Sequence, residues 1–141
     1  MKGFLISTGT LALCTAIAMS VLYFTTDIFT RESESSREIG RLTNYVLAGL
    51  YCQDWSMMIQ AGKTISISWE ADGSLNAWVL TQSQCDYLKV WGTTSSYEAM
   101  KSGRSGTLIY RVSNTDTYHL IVQNPSQVES ITVYSAVATV Q

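Results

Sequence analysis

The sequence contains few of the residues that build catalytic or metal sites. Among its 141 residues there is a single histidine, His119, together with three cysteines and one proline. The zinc-protease, nucleophile-elbow and phosphate-loop motifs are all missing from it. Because a metal site takes three or four ligands and the sequence has no C-x-x-C pair, we expect neither a metal ion nor another cofactor.

Candidate catalytic residues are equally scarce. His119 stands between Tyr118 and Leu120 in a strand-like run, so it is expected on the opposite face from those two. No nucleophile and orienting partner accompany it in the sequence. Glu70 and Asp72 flank a predicted turn, which two such carboxylates would normally solvate. We therefore expect a protein that is not an enzyme and has no catalytic residues.

Charged residues are few and balanced. Asp, Glu, Lys and Arg make up 14% of the chain, and the net charge is −2. Nucleic-acid binding normally needs a clustered basic face, and here the basic residues are scattered. We expect no nucleic-acid partner and no strong recruitment of anionic lipid.

The three cysteines fall into two groups. Cys14 lies within an apolar run and is expected to behave as a small hydrophobic residue. Cys52 and Cys85 lie in the polar part of the chain, where they could form a disulfide in an oxidising compartment. They could equally remain two separate buried thiols, because sequence does not give their separation.

The amino-terminal part is one long apolar run. Residues 4–29 include no Lys, Arg, Glu or Pro, and Asp27 is their only charge. At about 1.5 Å per residue, a helix of this length crosses a hydrocarbon core of about 30 Å. Tyr23 and Phe24 near its end are typical of an interfacial aromatic belt, with no small-residue cleavage site beside them. We predict a transmembrane helix over residues 1–30.

Small and hydroxyl-bearing residues are frequent in this predicted helix. Such residues let two membrane helices approach closely, although Ser and Thr also bond back to carbonyls of their own helix. Six of them are candidates for helix packing: Gly3, Ser7, Thr8, Gly9, Thr15 and Ser20.

The predicted orientation of the helix differs from the one that the count of basic residues alone would give. Arg31, Arg37 and Arg41 follow the helix whereas Lys2 precedes it, which alone would place the carboxyl side in the cytoplasm. The amino tail is too short to form a domain, and the composition after the helix is that of an extracellular domain. We therefore expect the carboxyl-terminal domain to be extracytoplasmic.

The remaining chain changes to a strand-like pattern. We predict a juxtamembrane connector over residues 31–43, with a short helix or extension from Arg37, and a β domain over residues 44–141. Ile65, Ile67 and Trp69 alternate with polar residues, as in a strand with one buried face.

Turn residues divide this domain into several short strands. Gly62-Lys63 and Asp72-Gly73 predict hairpin turns on either side of one strand. Further strands are predicted near residues 44–51, 55–60, 77–81, 107–113, 118–122 and 131–140. This spacing indicates an antiparallel β-sandwich of jelly-roll or immunoglobulin-like type. Cys85 and Leu88 indicate one short helix within residues 82–101.

Several stretches resemble GOLD-type and pre-peptidase C-terminal-type sandwich domains. They are residues 61–69 (AGKTISISW), 79–84 (VLTQSQ) followed by Tyr87, 105–112 (SGTLIYRV) and 117–125 (TYHLIVQNP). The resemblance covers roughly residues 55–140 and implies an extracytoplasmic or lumenal domain that serves binding and assembly, without catalytic residues. Eukaryotic GOLD proteins carry their membrane helix after the domain, so the resemblance does not extend to their trafficking role.

The first residues resemble the cleavage motif of archaeal type IV prepilins. Residues 2–5 (KGFL) place a basic residue and a glycine before the apolar run. The resemblance implies cleavage after Gly3. Bacterial type IV pilins carry an acidic residue five positions into the mature helix, where Thr8 stands in this sequence.

The β domain is rich in aromatic residues, most of which suit a core. Trp69, Tyr110 and Tyr118 have strand-face positions that suit burial. Trp91 and Tyr97 bracket a loop rich in Gly, Ser and Thr, and Trp78 alternates away from its neighbours. Because exposed Trp and Tyr are favoured contact residues, we predict a partner surface at Trp78, Trp91 and Tyr97. Carbohydrate binding by the same residues is a weaker alternative.

Two functions fit this organisation, and a third fits it less well. The first is a single-pass membrane protein whose outward β-sandwich is a non-catalytic accessory or assembly subunit of a cell-envelope complex. The alternative is a type IV pilin-like or archaellum-stator-like subunit, self-assembled or filament-associated, with its helix in a fibre core or anchor. A hydrolase is the weakest of the three hypotheses.

Overall fold

The computed structural model describes residues 35–141, and Ser36–Gln141 form one compact unit. The predicted transmembrane helix of residues 1–30, its helix-packing residues and the prepilin-like motif lie outside this range. Within the described range, no helix combines the length and the hydropathy that a bilayer crossing requires.

The described chain is mainly β, with one short helix, as the sequence predicts. Its elements in chain order are β1 (Arg37–Leu47), β2 (Cys52–Ile59), β3 (Thr64–Thr81), α1 (Gln82–Trp91), β4 (Ala99–Arg111), β5 (Asp116–Gln123) and β6 (Ile131–Val140). The strand pairings are antiparallel.

The long strand β3 holds the sheet together. Its first half pairs with β6 and its second half with β5, while β4 runs along its other side. The order is β1-β6-β3-β5-β2, with β4 beside β3. Since β3 takes part in both halves, the strands form one continuous six-stranded sheet in the described residues. The two separate sheets of the predicted sandwich are therefore replaced by a single sheet.

This sheet curls so that its inner face encloses the core. Each of the six strands contributes a buried apolar side chain to the same cluster, which a flat sheet could not arrange. Representative members are Leu42, Ile59, Ile67, Leu108, Leu120 and Val133. The curled sheet thus encloses one apolar core on its inner face.

The two ends of the strand order meet where Gly40 and Trp55 are in contact. Gly40 of β1 lies against the indole ring of Trp55 of β2, and a methyl group added at Gly40 would overlap that ring. β1 and β2 stand at opposite ends of the strand order. A glycine at position 40 is therefore what allows the curled sheet to close on the indole.

The Asp72-Gly73 pair does not form the predicted hairpin. β3 continues through it to Thr81, with a register irregularity between Glu70 and Leu75. The Asp72 carboxylate accepts a hydrogen bond of 2.8 Å from the backbone N–H of Thr132 on β6. This contact ties the irregular stretch to the neighbouring strand, so the turn-forming pair marks a bulge instead of a reversal.

The prediction that the strands on either side of Gly62-Lys63 pair as a hairpin was wrong. The chain does turn there, with Gly62 at φ 89° and a 3.3 Å hydrogen bond from the Lys63 N–H to the Gln60 carbonyl. However, β5 lies between β2 and β3 in the sheet. The turn therefore passes the chain across a neighbouring strand.

The connector predicted for residues 31–43 overlaps the first strand, because β1 begins at Arg37. Its buried side chains, Leu42 and Leu47, are five residues apart. A regular strand would place them on opposite faces. Asn44 lies between them with φ 48°, in the left-handed region, and the alternation changes there. Because the alternation changes at Asn44, the sequence does not show the two-residue period of a single strand here.

Candidate functional site

The helix α1 covers part of the outer face of the sheet. Cys85 and Leu88 of α1 pack against Trp78, Leu80 and Ile121, forming a second apolar cluster separate from the main core. Side chains of β3 and β5 that point away from the core are therefore buried beneath the helix. This arrangement positions the polar residues described next.

Local sequence fixes where α1 begins and ends. The backbone N–H of Thr81 donates to the Gln84 side-chain oxygen at 2.9 Å, which satisfies a donor at the helix start. Gly92 ends the helix with φ 72°, and its N–H donates to the Leu88 carbonyl at 2.7 Å. Between them, Gln82, Cys85 and Lys89 recur at three- and four-residue spacing, so they share one side of the helix.

Five side chains from three elements meet along one side of α1, and we call them the polar cluster. They are Asp54 from β2, His119 from β5, and Gln82, Cys85 and Lys89 from α1. The register pairs Asp54 with Ile121 and Ser56 with His119. Asp54 and His119 are therefore diagonal neighbours on the outer face, a separation that side chains of their length can bridge.

The Asp54 carboxylate is the centre of this cluster. His119 Nδ1 lies 3.0 Å from each of its oxygens, and Lys89 Nζ lies 2.7 Å from Oδ2. The Cys85 thiol donates to the same Oδ2 at 3.7 Å. On the other side of the ring, His119 Nε2 lies 2.8 Å from the Gln82 side-chain oxygen.

The hydrogen bonds assign the protons of the imidazole. The Gln82 amide nitrogen donates to the Asp86 carboxylate at 2.9 Å, which directs the Gln82 oxygen toward His119. Since an amide oxygen only accepts, His119 Nε2 must carry the hydrogen. Nδ1 then faces two carboxylate oxygens, which also only accept. Nδ1 is therefore the ring atom directed at the Asp54 carboxylate.

Burial makes the Cys85 thiol a poor nucleophile. Cys85 is fully buried. Burial, reinforced by the Asp54 carboxylate, raises the pKa of this thiol to about 11, so it stays protonated at neutral pH. The hydrogen bond to Asp54 raises the pKa of Lys89, which keeps its ammonium charged. The polar cluster thus presents no activated nucleophile.

The same side chains are nevertheless suited to metal binding. Ligand atoms of Asp54, Cys85 and His119 all lie within 4.8 Å of one another. Sequence reasoning missed this grouping because the three residues are far apart in the chain. The available signal was indirect: Asp54 and His119 occupy off-core positions on their strands, and α1 carries a polar stripe.

The two cysteines of the β domain are separate thiols in the structure. Cys52 is half-buried beside the second apolar cluster, to which Cys85 belongs. Burial is the main cause that raises the pKa of the Cys52 thiol. Of the two alternatives left open by the sequence, the structure has the unbridged pair.

The predicted partner surface is only partly exposed. Trp78 is 4% exposed, because its ring lies under α1, and its Nε1 donates to the Gln123 side-chain oxygen at 3.2 Å. The expectation that Trp78 faces a partner was therefore wrong. Tyr97 makes an edge-on contact with it, with ring centroids 5.6 Å apart, and remains 48% exposed. Trp91 is 67% exposed.

Trp91 belongs to a larger apolar region that the sequence did not indicate. Leu50 and Tyr51, which precede β2, and Val90 and Trp91 at the end of α1 are all exposed. They line one open groove of about 590 Å³, together with Lys89 and other residues. We call these four side chains and the space between them the aromatic groove.

No protein-family model and no curated protein sequence matches this chain. Among solved structures, the chain is similar to PliG of Aeromonas hydrophila, a periplasmic inhibitor of g-type lysozyme. The two share 15% sequence identity with a TM-score of 0.48, over 75% of this chain and 86% of PliG. At this distance the likeness carries no assignment of function.

Proposed function

We propose that this chain is a non-catalytic, membrane-anchored subunit that holds a partner protein of the cell envelope in its aromatic groove. The predicted helix of residues 1–30 is the anchor, and the β domain lies on the extracytoplasmic side. The observation that carries the proposal is the grouping of four exposed apolar side chains around one groove.

Exposed apolar groups gathered at one place usually mark an interaction site, whereas single ones do not. Leu50, Tyr51, Val90 and Trp91 are each more than half exposed. Trp and Tyr are also the residues that contribute most to binding energy at protein interfaces. The groove therefore offers more than incidental surface hydrophobicity.

The charge of the groove favours one kind of partner. Among the described residues that line it, Lys89 is the only charged one. An apolar side chain that enters the groove, with an acidic residue beside it, would complement the rim and the Lys89 ammonium group, which is 45% exposed although it also bonds to Asp54. The proposed occupant is thus a protein segment that presents an apolar anchor next to a carboxylate.

The polar cluster supports a non-catalytic reading. Both nitrogens of His119 already face hydrogen-bond partners, so the ring offers no free base. The high pKa of the Cys85 thiol removes the obvious nucleophile. A hydrolase would need at least one of these groups to be activated and accessible.

Site-specific photocrosslinking in native membranes tests the groove. A photoreactive phenylalanine analogue replaces Trp91, Tyr51 or, as a control, Ile109, whose side chain is as exposed as that of Trp91 at 67%. We expect the same partner peptide, identified by mass spectrometry, from positions 91 and 51 and not from position 109. Val90→Asp should abolish both crosslinks. Equal labelling from all three positions, or crosslinks that survive Val90→Asp, would refute the groove as the contact site.

The filament-associated subunit is the second candidate, favoured by the prepilin-like residues 2–5. It predicts a mature chain that starts at Phe4, release from cells by shear, and crosslinked peptides that both come from this chain. The membrane-subunit proposal predicts an intact amino terminus, extraction by detergent only, and a different chain in the crosslink. Mass spectrometry of the amino terminus and of the crosslinked peptides distinguishes the two.

A further inference from the structure

The contact between His119 and Asp54 leaves one position to fill. His119 Nδ1 faces both carboxylate oxygens at 3.0 Å, and its other nitrogen is committed to Gln82. A metal ion fits this position, since Nδ1 and a carboxylate oxygen are both metal ligands.

The third ligand is next to the first two. The Cys85 Sγ lies 3.7 Å from Asp54 Oδ2, and the ligand atoms of all three residues lie within 4.8 Å of one another. Ligands about 2.0–2.3 Å from a tetrahedral zinc ion are separated from each other by roughly 3.3–3.8 Å. Shifts of well under 1 Å per ligand, on the order of side-chain adjustment, would bring the three atoms to these separations.

We propose that Asp54, Cys85 and His119 form a binding site for a zinc ion beneath α1, with one coordination position left for solvent or a partner's group. Mixed sulfur, nitrogen and oxygen ligands suit zinc, whereas magnesium and calcium take oxygen ligands. This site goes beyond the proposed partner-binding function and does not depend on it.

Gln82 completes the site from the outside. Metal-bound histidines usually donate their second ring N–H to a carbonyl or carboxylate, which fixes the tautomer and the ring orientation. The Gln82 oxygen occupies this place at 2.8 Å from Nε2 and is itself held by the bond to Asp86. Gln82 is therefore a positioning residue, acting on the metal through His119.

Lys89 lies beside two of the three ligands, Asp54 and Cys85. It bonds to Asp54 Oδ2 at 2.7 Å, which leaves Oδ1 available to the metal. When zinc binds, the Cys85 thiol releases its proton to solvent, because the metal takes the thiolate. Ion access is from the side of Asp54, whose side chain is 19% exposed, since Cys85 and His119 are buried.

The test measures metal binding by the full chain, purified in mild detergent with a non-thiol reductant and stripped with a chelator. Zinc affinity is measured by competition with a chromogenic chelator. We expect one zinc ion per chain, and an affinity that falls about ten-fold or more in Cys85→Ser and His119→Gln. Cys52→Ser is the matched control, since Cys52 is on the same strand face as Asp54 but outside the ligand group. The zinc affinity of this variant should stay unchanged.

Cobalt supplies a second measurement, whose main observation is made on the unaltered chain. Bound to the unaltered chain, Co²⁺ should show thiolate-to-metal charge transfer and the intense visible bands of tetrahedral coordination. These bands should persist in Cys52→Ser and disappear in Cys85→Ser. If the unaltered chain lacks them, or if Cys52→Ser loses as much zinc affinity as Cys85→Ser, the assignment of the three ligands is wrong.

Discussion

The side-chain oxygen of Gln82 accepts a hydrogen bond from Nε2 of His119 at 2.8 Å, joining the start of α1 to the middle of β5. This bond is the structural reason that the imidazole directs its other nitrogen at Asp54. It also links two segments that are 37 residues apart in the sequence. Substitutions at this pair and at its neighbours measure how much the polar cluster contributes to the free energy of unfolding.

Replacing Gln82 with Leu should destabilise the protein by about 1 kcal/mol, because the buried Nε2–H of His119 loses its acceptor. The measurement is the free energy of unfolding in urea. Gln82→Glu retains an acceptor at this position and should lose less. Gln127→Leu alters an exposed glutamine and should leave stability unchanged; an equal loss there would mean that the His119 bond contributes nothing.

Replacing Asp54 with Ala should cost more, about 2 kcal/mol or above, because it leaves His119 and Lys89 without their shared anion. Glu38→Ala removes the exposed Glu38–Arg41 pair and serves as the control. No measurable change is expected from it, since water screens such pairs. Denaturant unfolding of the two variants at equal ionic strength gives the comparison, and similar losses from both would contradict a special role for Asp54.

Alkaline pH should destabilise the protein through Tyr118. Burial raises the pKa of this phenol, whose hydroxyl donates to the Asn114 carbonyl at 2.8 Å. Above about pH 10 the unfolded chain releases the phenolic proton before the folded chain does. The free energy of unfolding should therefore fall as pH rises from there toward the raised pKa. Tyr118→Phe should flatten this part of the curve, and an unchanged slope would exclude Tyr118 as its source.

The contact between Gly40 and Trp55 predicts a compensating pair of substitutions. Gly40→Val should cost about 1–3 kcal/mol, because its side chain would overlap the indole. In a Trp55→Ala background the same substitution should cost much less. Thermal and urea unfolding of the four chains complete the cycle, and additive losses would show that the two residues do not meet.

The inner face of the sheet was largely readable from the sequence. Ile65, Ile67 and Trp69 alternate as predicted and are buried, and Tyr118 and Leu120 face the core opposite His119. The short helix through Cys85 and Leu88 was also confirmed. These features depend on periodicity within one segment, which local sequence records.

Features that depend on pairing between distant segments could not be predicted from the sequence. Asp72-Gly73 has the composition of a hairpin turn, but in the structure it forms a bulge that is bonded to Thr132 of β6. Trp78 alternates away from the core, but a helix that follows it in sequence folds back and buries it. The polar cluster was not predicted for the same reason, since the register of the sheet brings Asp54 and His119 together.

That register has a consequence for folding. β2 pairs with β5 alone among the described strands, with Asp54 opposite Ile121. A slip of one residue would send every side chain of β2 to the other face, and the Asp54 carboxylate would enter the hydrocarbon interior while Trp55 left it. An unpaired carboxylate in such surroundings is strongly unfavourable. His119 and Lys89 therefore stabilise the native register selectively, because only that alignment brings Asp54 to them.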